Sequence, residues 1–403
     1  MLGKAFAMSN KYSKTINCCL LGYVVQAIIN NYVPLLFVTF NRDFGVSLEK
    51  ISLIITINFA VQISADLISS KFIDKIGYRM AVVVAHAFSF AGLLTLAVLP
   101  NVMDAYTGLV ISTVVCAMGG GLIEVIISPI VEACPSENKA AHMSLLHSFY
   151  CWGHVAVVLN STLFFATVGT DKWYILAAAW AILPLVNGIA FCYVPILTLT
   201  EEGKSTPLLQ LMRTKTFWAF IVIMVCAGAC ELSVSQWASA FAEAGLGVSK
   251  TVGDLAGPMA FAILMGGARI FYSRMGNKIR IEKYLVICSA ICLFSYLLIA
   301  LSPYKFLSLV GCGICGFAVG VMWPGSYSMA AAKMPGGGAA MFAMLAFAGD
   351  TGCAVGPGLV GTVSDHFSGD LKMGILSVVF FPAIMLVSAI VYERKSRKEE
   401  KGK

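Results

Sequence analysis

Residues Ala81–Leu99 read AVVVAHAFSFAGLLTLAVL, with no formal charge beyond what His86 can carry. An α-helix needs roughly 18–20 such residues to cross the hydrocarbon core of a bilayer. Tyr284–Leu301 and Gly374–Tyr392 repeat the pattern with no charge at all. Composition agrees. Of 403 residues, 59% are hydrophobic and only 12% charged, and mean hydropathy is +0.84. A soluble domain carries about 25% charged residues. The period-2 alternation of a membrane β-barrel is absent. The chain reads as an all-α membrane protein.

Working outward from Ala81 gives twelve spans, near 15–39, 51–73, 80–99, 106–131, 142–167, 174–197, 217–243, 252–273, 284–301, 306–332, 339–363 and 373–392. Only six of the 28 Lys and Arg, namely Arg42, Lys50, Lys172, Lys250, Lys305 and Lys372, fall on the side opposite the N-terminus. The positive-inside rule therefore places both termini in the cytoplasm, in a multi-pass protein of the cytoplasmic membrane. The same bias accounts for the net charge of +7, so nucleic acid is not implied as a partner. The basic tail ERKSRKEEKGK reads as a topology signal facing anionic lipid. Lys4, Lys11 and Lys14 precede an apolar run too long for a signal peptide and without an A-x-A-like site, which reads as a retained first helix. Most of the 13 cysteines sit inside predicted spans. Cys226/Cys230 and Cys288/Cys292 are one helical turn apart, as packing explains.

Polar Thr200–Thr216, TEEGKSTPLLQLMRTKT, follows the sixth span, with six spans on either side. The expected organisation is an N-terminal six-helix bundle over 1–198, a cytoplasmic linker over 199–216, a C-terminal six-helix bundle over 217–393 and a tail over 394–403. FIDKIGYR (Phe72–Arg79) and YSRMGNKIR (Tyr272–Arg280) echo each other after the second span of each half, with Gly77 and Gly276 at a separation of 199 residues. Twelve helices in two parallel six-helix repeats are an established transporter plan.

Ser70–Arg79, SKFIDKIGYR, resembles the G-x-x-x-D-[RK]-x-G-x-[RK] signature of the major facilitator superfamily. Ser70 stands where the signature has glycine, and Ser273 where the second copy would have aspartate. The resemblance covers the whole chain through its twelve-span layout. It implies a cytoplasmic latch formed by Asp74, Lys75, Gly77 and Arg79, with Arg274 in the second copy. LLHSFYCWG (Leu145–Gly153), ELSVSQWAS (Glu231–Ser239) and GDTGCAVGPGLVG (Gly349–Gly361) are similar to the fucose permease branch. In that branch a fourth-helix acid carries the proton, a role that Glu124 matches. The branch's second acid, on the first helix, is unmatched, because Ile29-Asn30-Asn31-Tyr32 offers amides that cannot titrate.

A charge at mid-membrane costs about 2.5–3.5 kcal/mol, so ionisable residues there usually face a bundle interior or a watery cavity. Four acids are placed at depth: Asp66, Glu124, Glu231 and Asp350. Asn58, Gln62 and Asp66 recur every four residues and make one polar stripe on the second helix. This is either an interhelical hydrogen-bond seam or a substrate and gate face, with Asp66 on the gate side. Glu124 lies in GGGLIEVIISP (Gly119–Pro129), with Gly120 and Gly121 one turn before it and Ser128 one turn after. Small neighbours let a ligand or helix approach, and apolar surroundings hold a carboxyl more readily as the neutral acid. The expected roles are proton coupling at Glu124, Glu231 and Asp350, and substrate binding at Gln26, Asn30, Asn31, Asn58, Gln62 and the same three acids. Glu231, Ser235, Gln236 and Trp237 would suit a polyol, although Trp237 alone could be an interfacial anchor and Asp350 a packing residue. His147, Tyr150 and His154 share one face of the fifth helix, as cavity lining or as packing. Two histidines seven residues apart lie roughly 10 Å apart along the axis, too far to share one ion, so no metal site is read. Trp152 and Asn160 on the same helix, with Trp323 and Tyr327 at the Pro324 break of the tenth, complete the expected lining. PGGGAA (Pro335–Ala340) lacks the G-K-[ST] of a phosphate loop. No cofactor is implied.

The leading expectation is a monomeric, non-enzymatic secondary transporter working by alternating access. It would take up a monosaccharide or related polyol with a proton or other coupling ion, with Glu124 facing a cavity between the bundles. The alternatives are a proton-driven exporter of organic cations or drugs, and a non-transporting membrane sensor. An intramembrane enzyme is disfavoured because no nucleophile–base pair or metal cluster has workable spacing.

Overall fold

The computed structural model describes residues 12–135, 139–197, 208–275, 280–334 and 338–401. Their helices fall into twelve consecutive spans. In the first half these are α1 (Ser13–Asn31, then the 3₁₀ turn Val33–Leu36 and Phe37–Phe44), α2 (Leu48–Ile76), α3 (Tyr78–Val102), α4 (Ala105–Ala133), α5 (Lys139–Val168) and α6 (Trp173–Tyr193). The second half opens with α7 (Lys215–Ser235, then Ala238–Ala240 and a π turn Phe241–Gly245) and α8 (Lys250–Asp254, a π turn Leu255–Met259, then Ala260–Met275). It continues with α9 (Ile281–Leu301), α10 (Lys305–Val319 and Met322–Lys333), α11 (Gly338–His366) and α12 (Leu371–Ser377 and Phe380–Lys401). Eleven spans are long and apolar enough to cross a membrane, and α11 has 29 residues. The fold is the twelve-helix bundle expected from the hydropathy pattern.

The elements end where their chemistry requires. Gly77, at φ +80° in the left-handed region, turns the chain from α2 into α3. Asp104 caps α4 by accepting from the Thr107 N–H at 2.9 Å, and Asp370 caps α12 through the Lys372 N–H at 2.9 Å. Pro34, second in the 3₁₀ turn of α1, has no N–H to return to the Asn30 carbonyl, so the first segment of α1 stops at Asn31. The first segment of α7 stops at Ser235 and that of α10 at Val319.

The chain divides into two compact units, Met1–Val46 with Ile57–Glu201, and Ser47–Thr56 with Glu202–Lys403. The start of α2 thus groups with the second unit, where Thr56 Oγ1 donates to the Ala354 carbonyl at 3.4 Å. Within the first unit, α3 and α4 meet through Gly92 against Cys116 and Gly119 against Ser89. Within the second, α7 and α11 meet through Gly228 against the Gly349 carbonyl and Gly352 against the Val225 carbonyl. Lipid tails are as apolar as the helices, so close van der Waals approach at small residues drives such association.

Of the expected linker, residues 199–207 lie outside the described residues, and Leu208–Met212 forms a short helix. The helix of α12 continues through the segment expected as a tail from 394, to Lys401. Buried Ser396 ties it to the start of α9, accepting from Arg280 Nη2 at 3.1 Å and donating to Glu282 Oε1 at 3.2 Å.

Candidate functional site

The first unit carries a continuous chain of amides ending on a carboxylate. Gln26 and Asn30 lie one turn apart on α1, and Asn58 and Gln62 one turn apart on α2, so each pair presents one face. Gln62 Nε2 donates to Asn30 Oδ1 at 3.0 Å, and Asn58 Nδ2 donates to the same oxygen at 3.3 Å. Gln26 Nε2 donates to Gln62 Oε1 at 2.9 Å and to Glu124 Oε2 at 3.4 Å. Gln26 Oε1 is buried without a partner among the described residues. Gly120 makes room for it, since a Cβ there would stand 2.9 Å from that oxygen. The expected stripe on α2 is therefore real through Asn58 and Gln62 and runs into α1 and α4. The side chain of Asp66 lies outside the described residues.

Asn31 faces α5. Its Nδ2 donates to the Ala27 carbonyl at 2.9 Å and to Tyr150 Oη at 3.2 Å. Tyr23 extends this wall, with its hydroxyl 3.1 Å from Ser128 Oγ and its ring edge-on to His147 at 5.3 Å. His154 is buried while His147 is exposed, and among the described residues no group of His, Cys, Asp and Glu could hold a metal ion. Asn160, expected in the lining, is exposed and turns its amide back onto the Ala156 carbonyl of its own helix at 2.7 Å. Trp152 is likewise exposed. Neither joins the amide chain in these bonds.

The second unit is arranged around breaks. Pro324 has no N–H to offer the Gly320 carbonyl four residues earlier, and Arg269 on α8 donates Nε to that oxygen at 3.0 Å instead. Arg269 also lies close enough to Glu231 for their charges to interact. Ser235 and Gln236 are buried beyond Glu231. The Trp323 ring lies against Gly349, next to buried Asp350, with the Tyr327 ring 6.2 Å away. Trp237 is enclosed by α11. It is fully buried, its Nε1 donates to the Pro357 carbonyl at 3.0 Å, and it abuts Gly361. Its N–H and one ring edge are thus held by α11.

In the expected latch, the side chains of Asp74, Lys75 and Arg274 lie outside the described residues. Arg79 is described, and it closes the end of α6. Its Nη1 donates to the Phe191 and Cys192 carbonyls at 2.8 and 2.6 Å, and its Nη2 to Val194 at 2.8 Å. The last carbonyls of a helix have no partner within it, and one guanidinium answers three.

Residues 19–357 match the family described as the Major Facilitator Superfamily. The chain belongs to this superfamily. Among curated proteins no sequence match is found. Similar solved structures include a variant of the E. coli fucose:proton symporter, at 15% identity and TM-score 0.67, covering 95% of this chain and 99% of that one. A D-xylose-proton symporter is similar at 12% identity and TM-score 0.78, covering 94% and 97%. A bacterial homolog of the human lysosomal transporter Spinster is similar at 12% identity and TM-score 0.71, covering 96% and 97%. At these identities the likeness is one of superfamily fold.

Two charged residues of this superfamily member are absent from the sequence-based site. Arg269 lies on α8, and the pair Gly320 and Pro324 signals a freed carbonyl that needs a donor. Asp254 is fully buried, accepts from Ser239 Oγ and pairs with Lys250 at 3.2 Å, four residues away on α8. That i, i+4 spacing of opposite charges was legible as a helix-surface pair.

Proposed function

We propose that this superfamily member is a proton-coupled symporter that takes up a monosaccharide or related polyol by alternating access. In this reading it works as a monomer in the cytoplasmic membrane, with both termini in the cytoplasm and residues 1–198 and 217–393 as its two moving bundles. Asp74, Lys75, Gly77 and Arg79 serve the cytoplasmic latch, and Glu231 and Asp350 are the second-unit acids. The observation that carries the reading is the amide chain Asn58–Asn30–Gln62–Gln26 ending on Glu124. Carboxamides both donate and accept, which suits neutral hydroxyl groups better than organic cations. Glu124 is the titrating group in contact with that chain, so it carries the proton. The symporters of fucose and of xylose among the similar structures are consistent with this substrate class.

The test is transport in proteoliposomes. A panel of neutral sugars should include one whose addition alkalinises the external medium. Glu124→Gln should abolish accumulation against a gradient while sugar exchange without a pH gradient survives. Accumulation and proton uptake that persist in Glu124→Gln would remove Glu124 as the carrier, and Glu124→Gln combined with Glu231→Gln would then show whether Glu231 takes over.

A further inference from the structure

The amide chain has a direction. These four bonds point their N–H groups one way: Gln26 towards Gln62 and Glu124, and Gln62 and Asn58 towards Asn30 Oδ1. In this arrangement Glu124 only accepts, as a bare carboxylate does. A protonated carboxyl instead has an O–H to donate, and its nearest chain member, Gln26, presents an N–H group that cannot receive it. Turning the Gln26 amide by half a turn brings Oε1 to that O–H. The Gln26 oxygen then faces the Gln62 oxygen, so Gln62 must turn as well to give its Nε2, and its oxygen now meets Asn30. Asn30 and then Asn58 follow. No covalent bond changes, and each turn exchanges one N–H···O bond for another.

We propose that Gln26, Gln62, Asn30 and Asn58 form a polarity relay, by which the proton on Glu124 sets whether Asn30 is an acceptor or a donor towards a hydroxylated ligand. This rests on Glu124 being the proton site, as proposed above. Two features of the structure make the relay movable. Buried Gln26 Oε1 has no partner among the described residues, so the Gln62 and Glu124 bonds alone hold that amide. Gly120 leaves the space beside it in which the oxygen and nitrogen exchange places. The relay also explains how Asn30 on α1, which cannot titrate, responds to a proton held on α4.

Other titratable groups stand on the helices packed against α4. Tyr23 on α1 is bonded to Ser128 and stacked edge-on with His147 of α5. His86 on α3 lies between the Val82 carbonyl and the Asn187 amide, at 2.8 and 2.9 Å. His154 and Tyr150 lie on α5, Cys116 on α4 itself, and Asp66 on α2. A test must therefore assign its signals by substitution.

The experiment needs no ligand. Purified full-length protein carrying isotope-labelled asparagine is followed by infrared difference spectroscopy across a pH jump. A carboxyl band absent in Glu124→Gln should titrate together with a labelled amide band absent in Asn30→Leu. Gln62→Met cannot pass polarity on, and should keep the carboxyl band and lose the amide band. Gly120→Ala keeps every bonding side chain but fills the space beside Gln26, and should give the same result should Gln62→Met fail to fold. A carboxyl that titrates while the Asn30 band stays still in the unsubstituted protein overturns the relay. An Asn30 band that still follows Glu124 in both variants also overturns it, while leaving Glu124 as the proton site. The absence of any Glu124 band overturns both the relay and the proton-site reading.

Discussion

Replacing Arg269 by Met should destabilise the second unit chiefly by stranding one carbonyl. Gly320 is buried, and Pro324 cannot supply the N–H that an unbroken helix would bring to its oxygen. Arg269 Nε, 3.0 Å away, replaces it. A buried acceptor left without a donor costs about 1–3 kcal/mol, and the loss of the neighbouring charge at Glu231 adds to it. A double-mutant cycle separates the two. Pro324→Ala restores an N–H at the right position, so in that background the Gly320 carbonyl no longer depends on Arg269. Arg269→Met should then cost about 1–3 kcal/mol less than in the parent, while the Glu231 contribution is common to both backgrounds and cancels. The assay is reversible unfolding in mixed detergent micelles, followed by tryptophan fluorescence. Equal losses in the two backgrounds would refute the argument and reduce Arg269 to a charge partner of Glu231.

Trp237→Phe removes only the N–H given to the Pro357 carbonyl. It should lower stability by about 1–3 kcal/mol and leave the affinity for the sugar proposed as substrate within a few-fold in equilibrium binding, whereas a large affinity loss would place Trp237 in the binding site. Arg79→Gln leaves three carbonyls at the end of α6 with fewer donors, so amide hydrogen exchange should rise at residues 191–194, and unchanged protection there would contradict the clamp. Gly352→Leu forces a side chain into the Val225 backbone. It should lower the melting temperature in detergent far more than Gly267→Leu, where a Cβ meets nothing within 4 Å, and similar shifts would dispute the close α7–α11 approach.

Span number, helical class and membrane residence were all legible in the sequence, because a bilayer forces every buried backbone group to bond within its own helix, and some twenty apolar residues are needed to do so. The Asn58 and Gln62 face was legible too, since the helical period alone places residues four apart on one side. What that face meets was not. Asn30 joins Gln62 while Asn31, its neighbour in sequence, turns to Tyr150, because adjacent residues of a helix point about 100° apart and only packing says which helix stands on each side. The neighbours of Trp237 were hidden for the same reason: nothing local in the sequence places Pro357 and Gly361 against its indole. Arg269 and Gly320 lie 51 residues apart, and the Pro324 that makes the pairing necessary announces a missing donor without naming its replacement. Local composition and period set the spans, and the partners of each polar atom were decided by the tertiary packing of helices distant in sequence.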